Sequence, residues 1–131
     1  MAKIIRQSVT LPAPPSALYD QYLDRKRHSK IIDAAVTIGR KPGAAFSAWD
    51  KSITGRILQL VPGRLIVQSW RTDDWNKSDV DSTLILSFST ERRGGRIDMI
   101  HANVPDRHAA SISDGWRNFY WKPWREYLKR G

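Results

Sequence analysis

The sequence predicts an α+β fold in which a curved antiparallel sheet wraps one long C-terminal helix, with two short helices after the first strand. Three observations carry this. Between Ala44 and Val104, five runs alternate apolar and polar residues with a period of two, and most are joined by short turns. Near the end, "DGWRNFYWKPWREYL" (Asp114–Leu128) returns to helical spacing and holds three of the six tryptophans. Before the five runs come one strand-like stretch and two helix-like ones.

Lys3–Leu11, "KIIRQSVTL", reads as the first strand, and "PAPP" stops it. "SALYDQYLD" then sets Leu18, Tyr19, Tyr22 and Leu23 on one helical face. "RKRHSKIID" reads as a second helical piece, and "AVTI" as a short strand before the turn "GRKPG". The five period-two runs are "AAFSAWD", "ITGRILQL", "RLIVQSWRT", "DSTLILSFS" and "RIDMIHANV". Pro62–Gly63 and "ERRGG" supply tight turns, whereas "DDWNKSDV" is longer and is expected to project from one end of the sheet.

In the final helix Ile112, Trp116, Phe119, Tyr120, Trp124, Tyr127 and Leu128 form a broad apolar stripe, with Trp121 at its edge. Rings of this size imply a wide gap between helix and sheet. Pro123 opposes the helix because it cannot donate to the Phe119 carbonyl, so a kink or a restart near "KPWREYL" is expected.

A chain of 131 residues fits one domain, taken as residues 1–131. It has no cysteine, which excludes disulfides and thiol chemistry. No run has the length of a signal peptide or a membrane span, so a cytoplasmic protein is expected. The net charge of +9 arises from 22 basic and 13 acidic residues scattered along the chain. That pattern describes a generally basic surface and gives no specific nucleic-acid site. There is no "HExxH", no "GxSxG" and no phosphate-loop pattern around Gly94–Gly95, so no catalytic residue, metal or cofactor is assigned.

Strand alternation sorts the middle of the chain into faces. Ile66, Gln68 and Trp70 share one face, as do Leu84, Leu86 and Phe88, and Ile97, Met99 and His101. His101 is the residue best suited to orient a ligand or transfer a proton near neutral pH; otherwise it is a hydrogen-bonded core histidine. Its neighbour Asp98 falls on the opposite face. His28 and His108 lie in helix or loop surroundings. Trp75, in the "DDW" loop, either closes a cavity mouth, meets a partner, or plugs the space under its own loop.

The second half resembles the family related to the C-terminal domain of the activator of the heat-shock-protein-90 ATPase. Gly55, Leu60, Val61, Pro62, Trp70, Arg71, Trp75, Val104, Pro105, Gly115, Trp116, Tyr120 and Trp121 follow that family's motifs in order. Asn103 stands where a glycine is common. The resemblance implies the START-like (SRPBCC) helix-grip fold, with a cavity between sheet and helix. It turns the three strand faces inward. Ile66, Gln68, Trp70, Leu84, Leu86, Phe88, Met99, His101, Trp116 and Tyr120 then become cavity-lining candidates, with Trp75 at the rim. Three functions follow from it: binding of a small apolar molecule, a chaperone-associated interaction module, and a cyclase-like or hydrolytic enzyme. The co-chaperone proper carries a further N-terminal domain, which weakens the expectation of a chaperone partner for this chain. Monomer and homodimer are both compatible with the sequence.

Overall fold

The computed structural model describes residues 2–130. Strand β1 (Ala2–Leu11) leads into helices α1 (Pro15–Leu23) and α2 (Arg25–Ile32). Then come β2 (Val36–Thr37), β3 (Ala45–Ala48), β4 (Ile53–Val61), β5 (Leu65–Thr72), β6 (Ser82–Glu91) and β7 (Gly94–Pro105). Among the described residues these seven strands form one antiparallel sheet in the order β1-β7-β6-β5-β4-β3-β2. Only β1 is out of sequence; it closes the sheet beside the last strand.

Local chemistry explains the first helices. Pro15 begins α1, where its missing N–H costs nothing. Leu18, Tyr19, Tyr22 and Leu23 are the residues α1 buries. Asp24 caps α2 by accepting from the Arg27 N–H at 3.0 Å, and Asp33 ends it in the left-handed conformation.

Two family-like positions are set by backbone geometry. At Gly55 an added Cβ would lie 1.9 Å from the Ser69 carbonyl oxygen, so β4 and β5 meet too closely for any side chain. Asn103 has φ +62° at an irregularity where β7 gains a residue against β1. Glycine suits that conformation, and asparagine tolerates it. Asn103 also donates to the Asp81 carbonyl at 3.3 Å.

The C-terminal segment is one continuous helical path with a defect. Helix α3 (Asp106–Trp116) passes into a π-helical turn (Arg117–Trp121) and then into α4 (Lys122–Lys129). The Lys122 N–H reaches back to the Arg117 carbonyl, five residues earlier. Pro123 lies in the first turn of α4, so the expected restart falls there. The wider turn moves the proline ring away from the carbonyl four residues before it, where a regular helix would clash.

The defect also corrects the apolar stripe. A π turn rotates each residue by less than the roughly 100° of an α-helix. Trp121 therefore swings into the interior and Phe119 swings out, to 57% exposure. The sheet curves enough for its β1 edge and the β3–β4 connection to reach this turn. Gln7 on β1 accepts from Trp121 Nε1 at 2.7 Å, and Trp49, just after β3, meets Phe119 ring to ring at 6.0 Å.

Candidate functional site

The inward face of the sheet holds rows of paired residues. Ile57, Gln68, Leu84, His101 and Ile5 lie opposite one another across β4, β5, β6, β7 and β1. All ten cavity-lining candidates, Ile66, Gln68, Trp70, Leu84, Leu86, Phe88, Met99, His101, Trp116 and Tyr120, are buried. The structure brings them together between the sheet and the helices.

Their polar atoms are bonded to other protein groups. Trp116 Nε1 donates to His101 Nδ1 at 3.1 Å. His101 must then carry its proton on Nε2, which donates to Ser82 Oγ at 2.8 Å. Ser82 in turn donates to the Trp70 carbonyl at 2.5 Å. The Trp70 ring stands edge-on to His101 at 4.7 Å. Burial depresses the His101 pKa to about 3, so the ring is neutral near pH 7. With Nδ1 accepting from the indole, Nε2 already carries its proton toward Ser82 and cannot take the hydroxyl's proton as a base.

A second chain starts on α2. Tyr120 Oη donates to His28 Nε2 at 2.8 Å, and His28 Nδ1 donates to the Tyr22 carbonyl at 2.7 Å. The Tyr22 hydroxyl donates to Gln68 Oε1 at 2.5 Å. Desolvation lowers the His28 pKa to about 4 and raises the Tyr22 and Tyr120 hydroxyls above their ordinary range. The sequence reading missed His28. The available signal was its spacing with Ile31 and Ile32, which makes one buried face of α2.

Two further indoles follow the same rule. Trp121 donates to Gln7, whose amide donates to the Ser113 carbonyl at 2.9 Å, and Trp124 donates to Gln21 at 2.8 Å. Clefts open elsewhere. One of ≈ 600 Å³ lies beside Phe46, Gly55 and Ser69, and another of ≈ 780 Å³ lies between α2 and α4 at Lys30, Ile31, Pro123 and Tyr127. None of the ten candidates lines either one.

The "DDW" loop is clamped by Arg71 at its base. Arg71 donates to the Asp79 and Asn76 carbonyls and to the Asp81 carboxylate, each at 2.9 Å, and its cation lies 5.7 Å from the Trp75 ring centre. Arg107 binds Asp79 from α3. Held this way, Trp75 is buried between Trp70, at 5.9 Å, and His108, stacked at 6.1 Å. Trp75 Nε1 and His108 Nε2 are buried without a hydrogen-bond partner among the described residues.

The outside carries its own features. Ile4, Leu58, Val80 and Phe119 are large apolar side chains facing solvent. Trp49, Asp50 and Lys51 have φ of 49°, 53° and 69°, a left-handed run without glycine. Among the described residues, no group of three or more metal-ligating side chains is suitably placed, and no helix is long and apolar enough to cross a membrane.

A seven-stranded antiparallel sheet closed around a C-terminal helix and filled by aromatic rings defines a START-like, helix-grip protein. The chain belongs to the family described as "Activator of Hsp90 ATPase homolog 1-like protein", whose model matches residues 12–129. It is 25% identical over 116 residues to the activator of 90 kDa heat shock protein ATPase homolog of Dictyostelium discoideum, covering 88% of this chain and 30% of that protein. The chain therefore spans about a third of the length of the curated relatives it matches. In fold it matches an HSP90 activator from Plasmodium falciparum, with TM-score 0.87, 21% identity and 96% coverage of both chains. It also matches the Aha1 dimer from Colwellia psychrerythraea, with TM-score 0.74, 12% identity, and coverage of 89% of this chain and 90% of that one.

The family-like residues are mostly architectural. Trp70 and Trp116 flank His101, Arg71 clamps the loop that buries Trp75, and Tyr120 and Trp121 anchor the π turn.

Proposed function

We propose that this chain acts as a single START-like domain in the cytoplasm and serves as a chaperone-associated protein-interaction module. Its partner on this reading is a 90 kDa heat shock ATPase, the protein named in its relatives. One contrast carries the proposal: the inner face is occupied by the chain's own hydrogen-bonded side chains, whereas Phe119, Leu58, Val80 and Ile4 present apolar surface to solvent. A binding cavity needs polar points free to meet a ligand, and here Gln68 and His101 are engaged. The test is calorimetric titration of the purified chain into a 90 kDa heat shock ATPase, with ATP turnover followed in parallel. Saturable binding supports the reading, and its absence defeats it.

A second reading has one observation in its favour, the unpaired Trp75 Nε1 above Trp70. If the Arg71-clamped loop swings out, a small apolar molecule can replace Trp75 and rest on Trp70, Phe88, Met99, Trp116 and the other inward candidates. Trp75→Ala would then increase binding of an apolar fluorescent probe. Unchanged probe binding would count against a ligand role.

A further inference from the structure

Two backbone irregularities of this chain meet at one point. The first is the left-handed run Trp49–Asp50–Lys51 between β3 and β4. The second is the π turn Arg117–Trp121. They touch through Trp49, which stands edge-on to Phe119 at 6.0 Å and to Tyr120 at 6.1 Å. Both irregularities persist against local preference, and strained backbone and π turns are enriched at functional sites. Their shared product is an aromatic pair at the surface, with Trp49 half-buried and Phe119 exposed.

The elements packed against the π turn carry a one-sided charge. Helix α2 packs against the π turn through the His28–Tyr120 bond. It also carries Arg25, Lys26, Arg27 and Lys30, all exposed and none in an ion pair among the described residues. On the π turn and α4, Lys122 bonds only the Asn118 amide oxygen, while Arg117 is paired with Asp114. The carboxylates on these elements are Asp24, which caps α2, Asp33 at its end, Asp50 in the loop, and Glu126, which pairs with Lys129. The balance is basic.

We infer that the Trp49–Phe119 corner is the docking point for the partner protein, and that the partner presents an apolar pocket rimmed by Asp and Glu. Phe119 is the anchor: an exposed ring on a backbone rigidified by Tyr120 and Trp121 loses little entropy when it is buried. The α2 cations supply steering and register. This rests on the proposed chaperone association and specifies its surface.

The experiment measures affinity for a purified 90 kDa heat shock ATPase by calorimetry, using wild type, Phe119→Ala, Leu58→Ala and the double variant Arg25→Glu/Lys26→Glu. Phe119→Ala is expected to weaken binding at least about tenfold. Leu58→Ala, an exposed apolar residue elsewhere on the surface, is expected to bind like wild type. The double variant is expected to weaken binding and flatten its dependence on salt. Equal affinity of Phe119→Ala and wild type overturns the docking point and leaves the chaperone association standing. Loss caused equally by Leu58→Ala also overturns it, because the contact then lies on the sheet. No binding by wild type overturns both.

Discussion

The C-terminal helical segment meets aromatic residues in two settings. Inside, Trp116, Tyr120, Trp121 and Trp124 each direct their polar atom to a fixed partner: His101, His28, Gln7 and Gln21. Outside, the exposed Phe119 ring meets Trp49 edge-on, and the backbone that brings Trp49 there runs left-handed. The inner set is what a stability argument predicts: large rings, buried, with every indole N–H satisfied. The outer set runs against local backbone preference. Aromatic abundance thus has two meanings in one segment, and exposure together with polar pairing separates them.

The largest effect that could break this comparison is Trp116→Ala. The substitution removes a buried indole, about 3–5 kcal/mol, and leaves His101 Nδ1 without its donor, about 1–3 kcal/mol more. A denaturant titration should show a loss of at least about 4 kcal/mol. A loss below about 1 kcal/mol would mean that the inner rings are loosely packed, and the contrast with Phe119 would fail.

The inner set also makes a pH prediction. His28 and His101 have pKa values near 4 and 3, both depressed by burial from 6.5. The folded state therefore binds fewer protons than the unfolded one between those limits. Stability is full above pH 6.5 and falls as pH drops toward the folded values. At about pH 4.5 each histidine should have lost about 2–3 kcal/mol of stabilisation, at roughly 1.4 kcal/mol per unit. The lowered carboxyls of Asp24, Asp74, Asp79 and Asp98 add their own losses only near and below their ordinary range. The upper part of the window thus belongs to the histidines. Unfolding free energy measured across it should have a slope approaching two protons; a flat profile would show that neither ring is held neutral.

Much of this was legible in the sequence. Period-two runs located β3 to β7, and the helical face of α1 was read residue by residue, because burial on one face imposes a local pattern. The same alternation groups eight of the ten candidates by strand face, the family resemblance turns those faces inward, and all ten are buried. The hydrogen-bond partners were not legible. Gln7, Gln21 and Tyr120 reach groups more than 90 positions away, and no local pattern records such pairing. The exchange of Phe119 for Trp121 was missed because an α-helical period was assumed through the π turn. That turn is chosen by tertiary contacts: Trp121 buried and bonded to Gln7. For Trp75 the sequence leaves three readings open, and the ring is found buried under its own loop, with the nearby Arg71 clamping it.

Smaller effects sharpen the outer half of the comparison. Asp50 and Lys51 form a turn closed by the Ser52 N–H and the Trp49 carbonyl at 3.0 Å, and a lysine at φ 69° stands where glycine is preferred. Lys51→Gly is expected to stabilise the chain by about 0.5–1 kcal/mol, the relief of left-handed strain less the entropy of glycine. Phe119→Ala is expected to change stability by less than about 0.5 kcal/mol, as an exposed substitution should. Destabilisation by Lys51→Gly would mean that the lysine side chain is needed in the fold, and the loop would no longer mark strain held for another purpose.

A further small effect is the most informative about why Phe119 is outside. Two agents could hold the π turn, the ring of Pro123 or the burial of Trp121. In Pro123→Ala the steric reason for a wide turn is gone, and a regular helix would gain a backbone hydrogen bond to the Phe119 carbonyl. That gain is at most about 3 kcal/mol and is smaller here, because a proline in the first turn of α4 costs little. Returning to the α register would rotate Trp121 out, losing about 1.5–3 kcal/mol of burial, its bond to Gln7, and its stack on Trp116 at 5.5 Å. The tertiary contacts win. Pro123→Ala should therefore keep the π turn, shift stability by less than about 1 kcal/mol, and leave Phe119 exposed. The measurement is a crystal structure of the variant together with solvent quenching of tryptophan fluorescence. If Phe119 is buried and Trp121 exposed in that structure, the proline, and not the packing, places the aromatic anchor at the surface.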